Sequence, residues 1–348
     1  MATATAKSLE HGAPGLRVRV VYRAGSGAID LNWPAPRIAE AIADNRGTLW
    51  VDIENPQEEP AGVESLLRDV FGFHPLAIED ALQETNVPKV DAWDGYLYTV
   101  FHALAFDPRT DDLRLHELDI FLGVNFLVTY HARPMPVLER LRQAIERDGG
   151  KRLRCGPDHL LYHVYDIGTA DYLATIEHLD EAIDAAQDEV FHDPTPATLQ
   201  KIFQIKRSAM RLHRIIGPQR EVFNRLARDL YPQIDAKDRV YFRDVYDHMV
   251  RLHDVTEGLR DLISGALDTY LSSIANRTNE VMKTLTVVTV LFLPLNFLVG
   301  FFGMNFFGDN IHLAEMRFPH TLVFWGICLA MVASPAGMWL WAKRRGWF

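Results

Sequence analysis

Residues 279–305 read NEVMKTLTVVTVLFLPLNFLVGFFGMN, and this stretch decides the fold. After Lys283 about 20 residues carry no charge; at about 1.5 Å rise each, a helix there spans roughly 30 Å, the thickness of a bilayer core. The segment is not uniformly apolar. Asn279, Met282, Thr286, Thr289, Leu293, Asn296 and Gly300 recur at alternating steps of three and four, which is one stripe of a helix. Val287, Val288, Leu291, Phe292, Leu295 and Phe297 lie on the other faces. A helix surrounded by lipid has no use for a line of polar groups, whereas several copies around an axis would turn that line inward as a wetted path. The plainer reading is an anchor whose Thr and Asn side chains bond a neighbouring helix.

Two further features bear on the choice. The helix runs out at Gly303-Met304-Asn305, and a second apolar segment follows from Thr321 to Ala342, closed by Lys343, Arg344 and Arg345. A Gly-Met-Asn tripeptide after a hydrophobic helix, then a short loop, a last hydrophobic helix and a basic terminus, resembles the CorA family of divalent-cation channels. The segments HPLAIEDAL, YFRDVYDHM and LRDLISGALDTYLSSIANRTNEVM look like that family's segments in the family's order.

The 348 residues carry a formal charge of −10, which argues against a nucleic-acid partner and suits a protein that handles cations. Mean hydropathy near zero hides a division: everything before Asn279 is charged in character, and the long apolar runs fall in the last seventy residues. Residues 1–15 lack an apolar h-region and read as a disordered lead-in, not a signal peptide. Lys283 before the first span and the Lys-Arg-Arg cluster after the second put both termini in the cytoplasm of a multi-pass protein of the cell (inner) membrane. Cys155 and Cys328 make no disulfide framework.

Taken in order, LRVRVVY (16–22) and TLWVDIENP (48–56) read as strands, and Pro60–Phe71 as a short helix. Pro75 starts a helix carrying Glu79 and Asp80. Strand-like runs follow over 89–106, 113–125 and 125–131, so residues 16–135 read as an α+β domain with a mixed sheet. Residues 136–235 read as a helical layer, with helices over Pro136–Arg147, Asp158–His192 and Thr198–Leu230. From about Lys237 no proline interrupts a helix until Pro294, a candidate kink, so a stalk over 236–283 continues as span 284–303, roughly 100 Å in all. A helix that long needs partners, hence homo-oligomerisation. The outer loop covers 304–320, the second span 321–342 and a basic tail 343–348. The fold class is therefore an α+β cytoplasmic domain, a long helical stalk and two C-terminal transmembrane helices.

Enzymatic readings find no support: there is no phosphate loop, no nucleophile elbow and no Cys-x-x-Cys. His159 and His163 have metal-ligand spacing, but without a third ligand an i,i+4 pair is mostly coincidence. His74 reads as a turn or helix-start residue, and Trp93, Tyr96 and Tyr98 as core or sheet-face aromatics.

The resemblance implies more. It places regulatory Mg²⁺ between neighbouring copies, with Asp80 and Asp268 as one site. Glu79, Asp166 and Asp244 form or support a second, in which Asp171 is an alternative to Asp166. In the pore, Asn305 would ring the outer mouth with neutral amide oxygens, which suits an ion that sheds its water reluctantly, and Gly303 and Met304 would shape the turn. Asn296 and Thr289 would pass the hydrated ion on, Leu293, Leu285 and Met282 would form apolar constrictions, and Asn279 would mark the cytoplasmic end. The expected protein is a homopentameric channel for Mg²⁺, with Co²⁺ or Ni²⁺ possible, held closed by intracellular Mg²⁺. The outer loop FFGDNIHLAEMRFPH lacks the acidic Met-Pro-Glu type sequence of close Mg²⁺ transporters, which leaves ion choice open. The alternatives are a zinc or broad divalent-cation transporter of this fold, and a membrane-anchored ion sensor.

Overall fold

Seven strands pair in the order β2-β1-β3-β7-β6-β5-β4 in the computed structural model, which describes residues 16–84, 87–303 and 320–345. The strands are β1 (Arg17–Arg23), β2 (Ile29–Asp30), β3 (Thr48–Glu54), β4 (Lys89–Trp93), β5 (Tyr96–Asp107), β6 (Asp112–Gly123) and β7 (Phe126–His131). Only β3 and β7 run parallel, from Leu49 beside Phe126 to Glu54 beside His131, so the sheet is mixed. The run expected over 89–106 is two strands. Asp94-Gly95 is a two-residue hairpin turn with Gly95 at φ +84°, a backbone setting that glycine adopts without strain. The lead-in, Met304, Asn305, the rest of the outer loop and the last three residues lie outside the described residues.

Both faces of the sheet are covered, which explains why its central strands are apolar without alternation: all seven residues of β3 are buried. On one face α1 (Ile38–Ala43), α2 (Pro60–Ser65, extended by a π-helical turn to Val70) and α3 (Pro75–Leu82) bury Ile38, Leu67, Phe73 and Ile78 against Leu49, Val51, Tyr98 and Phe121. On the other lie α4 (Pro136–Arg147), α5 (Pro157–His192) and α6 (Pro196–Arg228). There Phe101 of β5 sits 5.3 Å from the Tyr165 ring and 6.4 Å from Phe223. Gly168 lets α5 approach: a Cβ there would lie 2.5 Å from the Phe101 ring.

Helix α6 starts at Pro196, before the expected Thr198, because Thr195 caps it and Thr198 closes the capping box. Helix α7 (Arg239–Gly303) passes through Pro294 unbroken, so the candidate kink does not interrupt it. Lys343 and Arg344, expected in the tail, end α8 (His320–Arg344). The chain divides into two compact units between Thr269 and Tyr270; the sheet and helices α1–α6 belong to the first.

Candidate functional site

Helices α7 and α8 are each long and apolar enough to cross a membrane. Within the second unit, α7 shields one line, Val287, Leu291, Pro294, Leu295 and Leu298; Val287 is only 5% exposed. At about 100° per residue, Met282, Thr289, Leu293, Asn296 and Gly300 point to the opposite side. All five are exposed, Leu293 at 66%, and so are Asn279, Leu285 and Gly303. Helix α8 shields a line of its own through Met331, Ser334, Pro335, Met338 and Ala342. The polar line on α7 is thus left free by the chain's own packing. Thr289 Oγ1 donates to the Leu285 carbonyl at 2.8 Å, and Thr286 Oγ1 to that of Met282 at 2.7 Å. Each hydroxyl's proton is thereby used, and its lone pairs remain to accept from water. A hydrated cation turns water hydrogens outward, so acceptors are what such a line must offer. Met304 and Asn305 fall outside the described residues.

The acids of the first unit come from three helices. His74 caps α3: the Leu76 N–H donates to His74 Nδ1 at 3.2 Å, and the ring stacks on Trp93 at 4.4 Å. That start sets Glu79 exposed and Asp80 half-buried. Lys89 Nζ donates to Asp80 Oδ2 at 2.5 Å and lies 3.5 Å from Asp91 Oδ2. Its ammonium also stands 5.1 Å from the centre of the Tyr98 ring, whose hydroxyl donates to Asp119 at 2.6 Å. Burial above all pushes the Asp119 carboxyl well up. Asp268 is exposed on α7 and has no ion pair among the described residues.

Asp166 of α5 and Asp244 of α7 come into one neighbourhood. Burial raises the Asp166 carboxyl; His248 opposes the shift and Asp244 adds to it. Tyr162 is raised by burial and then by both acids. His248 Nε2 lies 4.0 Å from Asp244 Oδ1. Asp171 is engaged elsewhere, in a fork with Arg140 whose Nη1–Oδ1 arm is 2.8 Å. No hydrogen bond or ion pair among the described residues joins the acids of α3 to those of α7.

Lys89 and His248 escaped the sequence reading, although each left a signal. Lys89 precedes Asp91 by two residues, hence on the same face of β4, and His248 follows Asp244 by four, hence on the same side of α7. Another acid group, Asp158, Asp235 and Asp238, has ligand atoms within 4.8 Å of one another. Most of its oxygens are already engaged, although Asp238 Oδ2 is buried without a hydrogen bond. Asp158 accepts from the backbone N–H groups of His159 and Asp235, His159 Nδ1 is 3.2 Å from Asp238, and Lys237 is 3.0 Å from Asp235. The group ties the turn before α7 to the start of α5, and it also occupies His159, in keeping with the reading of the His159–His163 spacing as coincidence.

A mixed-sheet domain whose last helix runs on as the first of two apolar spans, with hydroxyl and amide groups in line along it, has the build of a membrane cation transporter. The chain belongs to the family of CorA-like Mg²⁺ transporter proteins, whose profile matches residues 45–344. The cobalt/magnesium transport protein CorA of Thermotoga maritima is 33% identical over 308 residues, 87% of this chain and 84% of that protein. The protein of the same name from Methanocaldococcus jannaschii is 24% identical over 313 residues, 90% and 95% of the two chains. The complete structure of the CorA magnesium transporter from M. jannaschii matches with a TM-score of 0.75 at 22% identity, covering 94% of this chain and 98% of that one. At that identity the likeness speaks for the fold.

Proposed function

We propose that copies of this chain, five by the family resemblance, surround an axis in the inner membrane and conduct Mg²⁺, with Co²⁺ as a second cargo, into the cell. The observation that carries this reading is the exposed acceptor line on α7, set opposite the line that the chain shields. Asn296 and Thr289 bond the ion's hydration water without stripping it, which matters because Mg²⁺ dehydrates reluctantly. Leu293, Leu285 and Met282 narrow and dry the path between them, where it can close by dewetting. Asn305 takes the outer mouth, Gly303 and Met304 the turn before it, and Asn279 the cytoplasmic end. With both termini in the cytoplasm, the membrane potential drives entry by about 2.3 kcal/mol per charge per 100 mV, hence about twice that for a divalent ion.

The acids supply feedback. Asp80 and the Asp268 of a second copy hold one regulatory ion, and Glu79, Asp166 and Asp244 hold or support another. The donor set fits a hard divalent cation: it is all carboxylate, and Asp244 stands near enough to Asp166 to add to the rise that burial gives its carboxyl. A bound ion supplies positive charge that offsets carboxylate repulsion across the interface. Asp171 is the weaker candidate, since its fork with Arg140 engages both carboxylate oxygens, whereas Lys89 takes only one of Asp80's. The zinc-transporter and sensor alternatives have no comparable support, because the matching family profile is that of Mg²⁺ transporters.

Flux of Mg²⁺, Co²⁺, Ni²⁺ and Zn²⁺ into liposomes, with and without a proton gradient, tests the reading. Asn305→Ala and wild type are compared. Mg²⁺ flux that needs no proton gradient and falls at least tenfold in Asn305→Ala is expected. Equal flux in the two proteins, or none in either, overturns the channel assignment.

A further inference from the structure

The ammonium of Lys89 occupies the carboxylate that the proposed regulatory ion needs. One positive charge here serves several acids: Asp80 at 2.5 Å, Asp91 at 3.5 Å and, through the Tyr98 ring and hydroxyl, the buried Asp119. Lys89 and Asp91 share a face of β4, whose pairing sets Asp91 beside Tyr98 on β5. Tyr98 is fully buried, and the lysine stem lies partly covered, with its side chain 28% exposed. The head is therefore held in place by the sheet, not swinging in solvent.

We propose that Lys89 is a built-in competitor for the divalent cation at Asp80. With no ion bound, Lys89 neutralises Asp80 and keeps the single subunit stable. An incoming ion must share Asp80 with this ammonium or displace it. Two cationic groups a few ångströms apart repel, so Lys89 raises the ion concentration at which the site fills. The threshold of the feedback is then written in one lysine, and Asp91 gives the displaced ammonium somewhere to go. This inference rests on the Asp80/Asp268 reading given above.

Full-length protein in detergent, treated with subtilisin across a Mg²⁺ series, reads the filling of the site as protection. In Lys89→Met, which keeps the stem and loses the charge, the midpoint of protection is expected at roughly tenfold lower Mg²⁺. Lys89→Arg, with the charge kept, stays within about twofold of wild type. In EDTA the Met variant melts below wild type, because Asp80 and Asp91 then repel unopposed, and Mg²⁺ raises its Tm by more. An unchanged or higher midpoint in Lys89→Met, with wild type protected and Asp268→Asn unprotected, overturns the competitor role and leaves the regulatory site standing. Equal protection of wild type and Asp268→Asn overturns the site and the inference together. Lys89→Gln carries the same test if the Met variant fails to fold.

Discussion

Phe101 and Phe297 are the same residue in two regions that treat it in opposite ways. Phe101 is fully buried between the sheet and helices α5 and α6, while Phe297 on the membrane half of α7 is 70% exposed. The charged groups follow the same division. In the first unit Asp80 has Lys89, Asp171 has Arg140 and Asp52 has His131 at 3.2 Å. Asp268, close to the boundary, has no ion pair among the described residues. The sheet domain pairs the other three acids within its own chain. The two spans leave most of their side chains exposed, since a helix pair can shield only one line on each member.

The largest contrast to break is the aromatic one. Phe101→Ala should destabilise the first unit by about 3–5 kcal/mol, seen as early denaturant unfolding of the sheet domain. Phe297→Ala should shift the same transition very little, because lipid replaces what a core cannot. Equal effects would mean that Phe297 is packed against protein in the assembly.

A second test sets the two sides of α7 against each other. Asn296→Leu should lower Mg²⁺ flux about tenfold, roughly 1.4 kcal/mol, while leaving thermal stability in detergent unchanged. Leu295→Val, on the shielded line, should do the reverse: a lower melting temperature and nearly normal flux. If both substitutions leave flux alone, the exposed line does not conduct.

The next effect is smaller and depends on pH. Burial, chiefly, lowers the His163 pKa from 6.5 to about 4, and His159 and Arg152 add to it. The unfolded chain therefore takes up a proton that the folded imidazole refuses. His163 contributes its full stability above about pH 6.5 and loses it as pH falls towards 4. Partial exposure reduces the contribution to about 1 kcal/mol. His163→Gln should flatten the stability profile between these limits, and an unaltered slope would assign the acid sensitivity to another group.

The smallest expected effect separates two neighbouring acids. Asp171→Asn breaks a partly exposed ion pair with Arg140 and should cost about 1 kcal/mol, with the Mg²⁺ midpoint for protease protection unmoved. Asp166→Asn should move that midpoint to higher Mg²⁺. The opposite pattern would give Asp171 the regulatory role.

The membrane half was legible because its signals are local. Twenty uncharged residues, a three-four polar rhythm and Gly-Met-Asn at 303–305 need no knowledge of what lies nearby in space. The Asp94-Gly95 hairpin and the Thr195–Thr198 box were local too, but their turn chemistry was outweighed by the hydrophobic runs beside them. Lys89 was harder to see. Nothing in a row of letters says that a lysine nine residues after Asp80 will donate to it, because that distance is set by how α3 packs on β4 and β5.

By itself, the sequence determined that two apolar segments are long enough to cross a membrane, that one carries a polar stripe, and that the preceding body is a mixed-sheet domain of the CorA type. Periodicity and composition suffice for that, since helix geometry and the absence of water in lipid act on consecutive residues. Tertiary structure alone decided which line of α7 is shielded, that Arg140 pairs with Asp171 and not with Asp166, and that Lys89 holds Asp80. Those outcomes depend on contacts between residues far apart in the chain, and only packing brings such residues within reach of each other's charge.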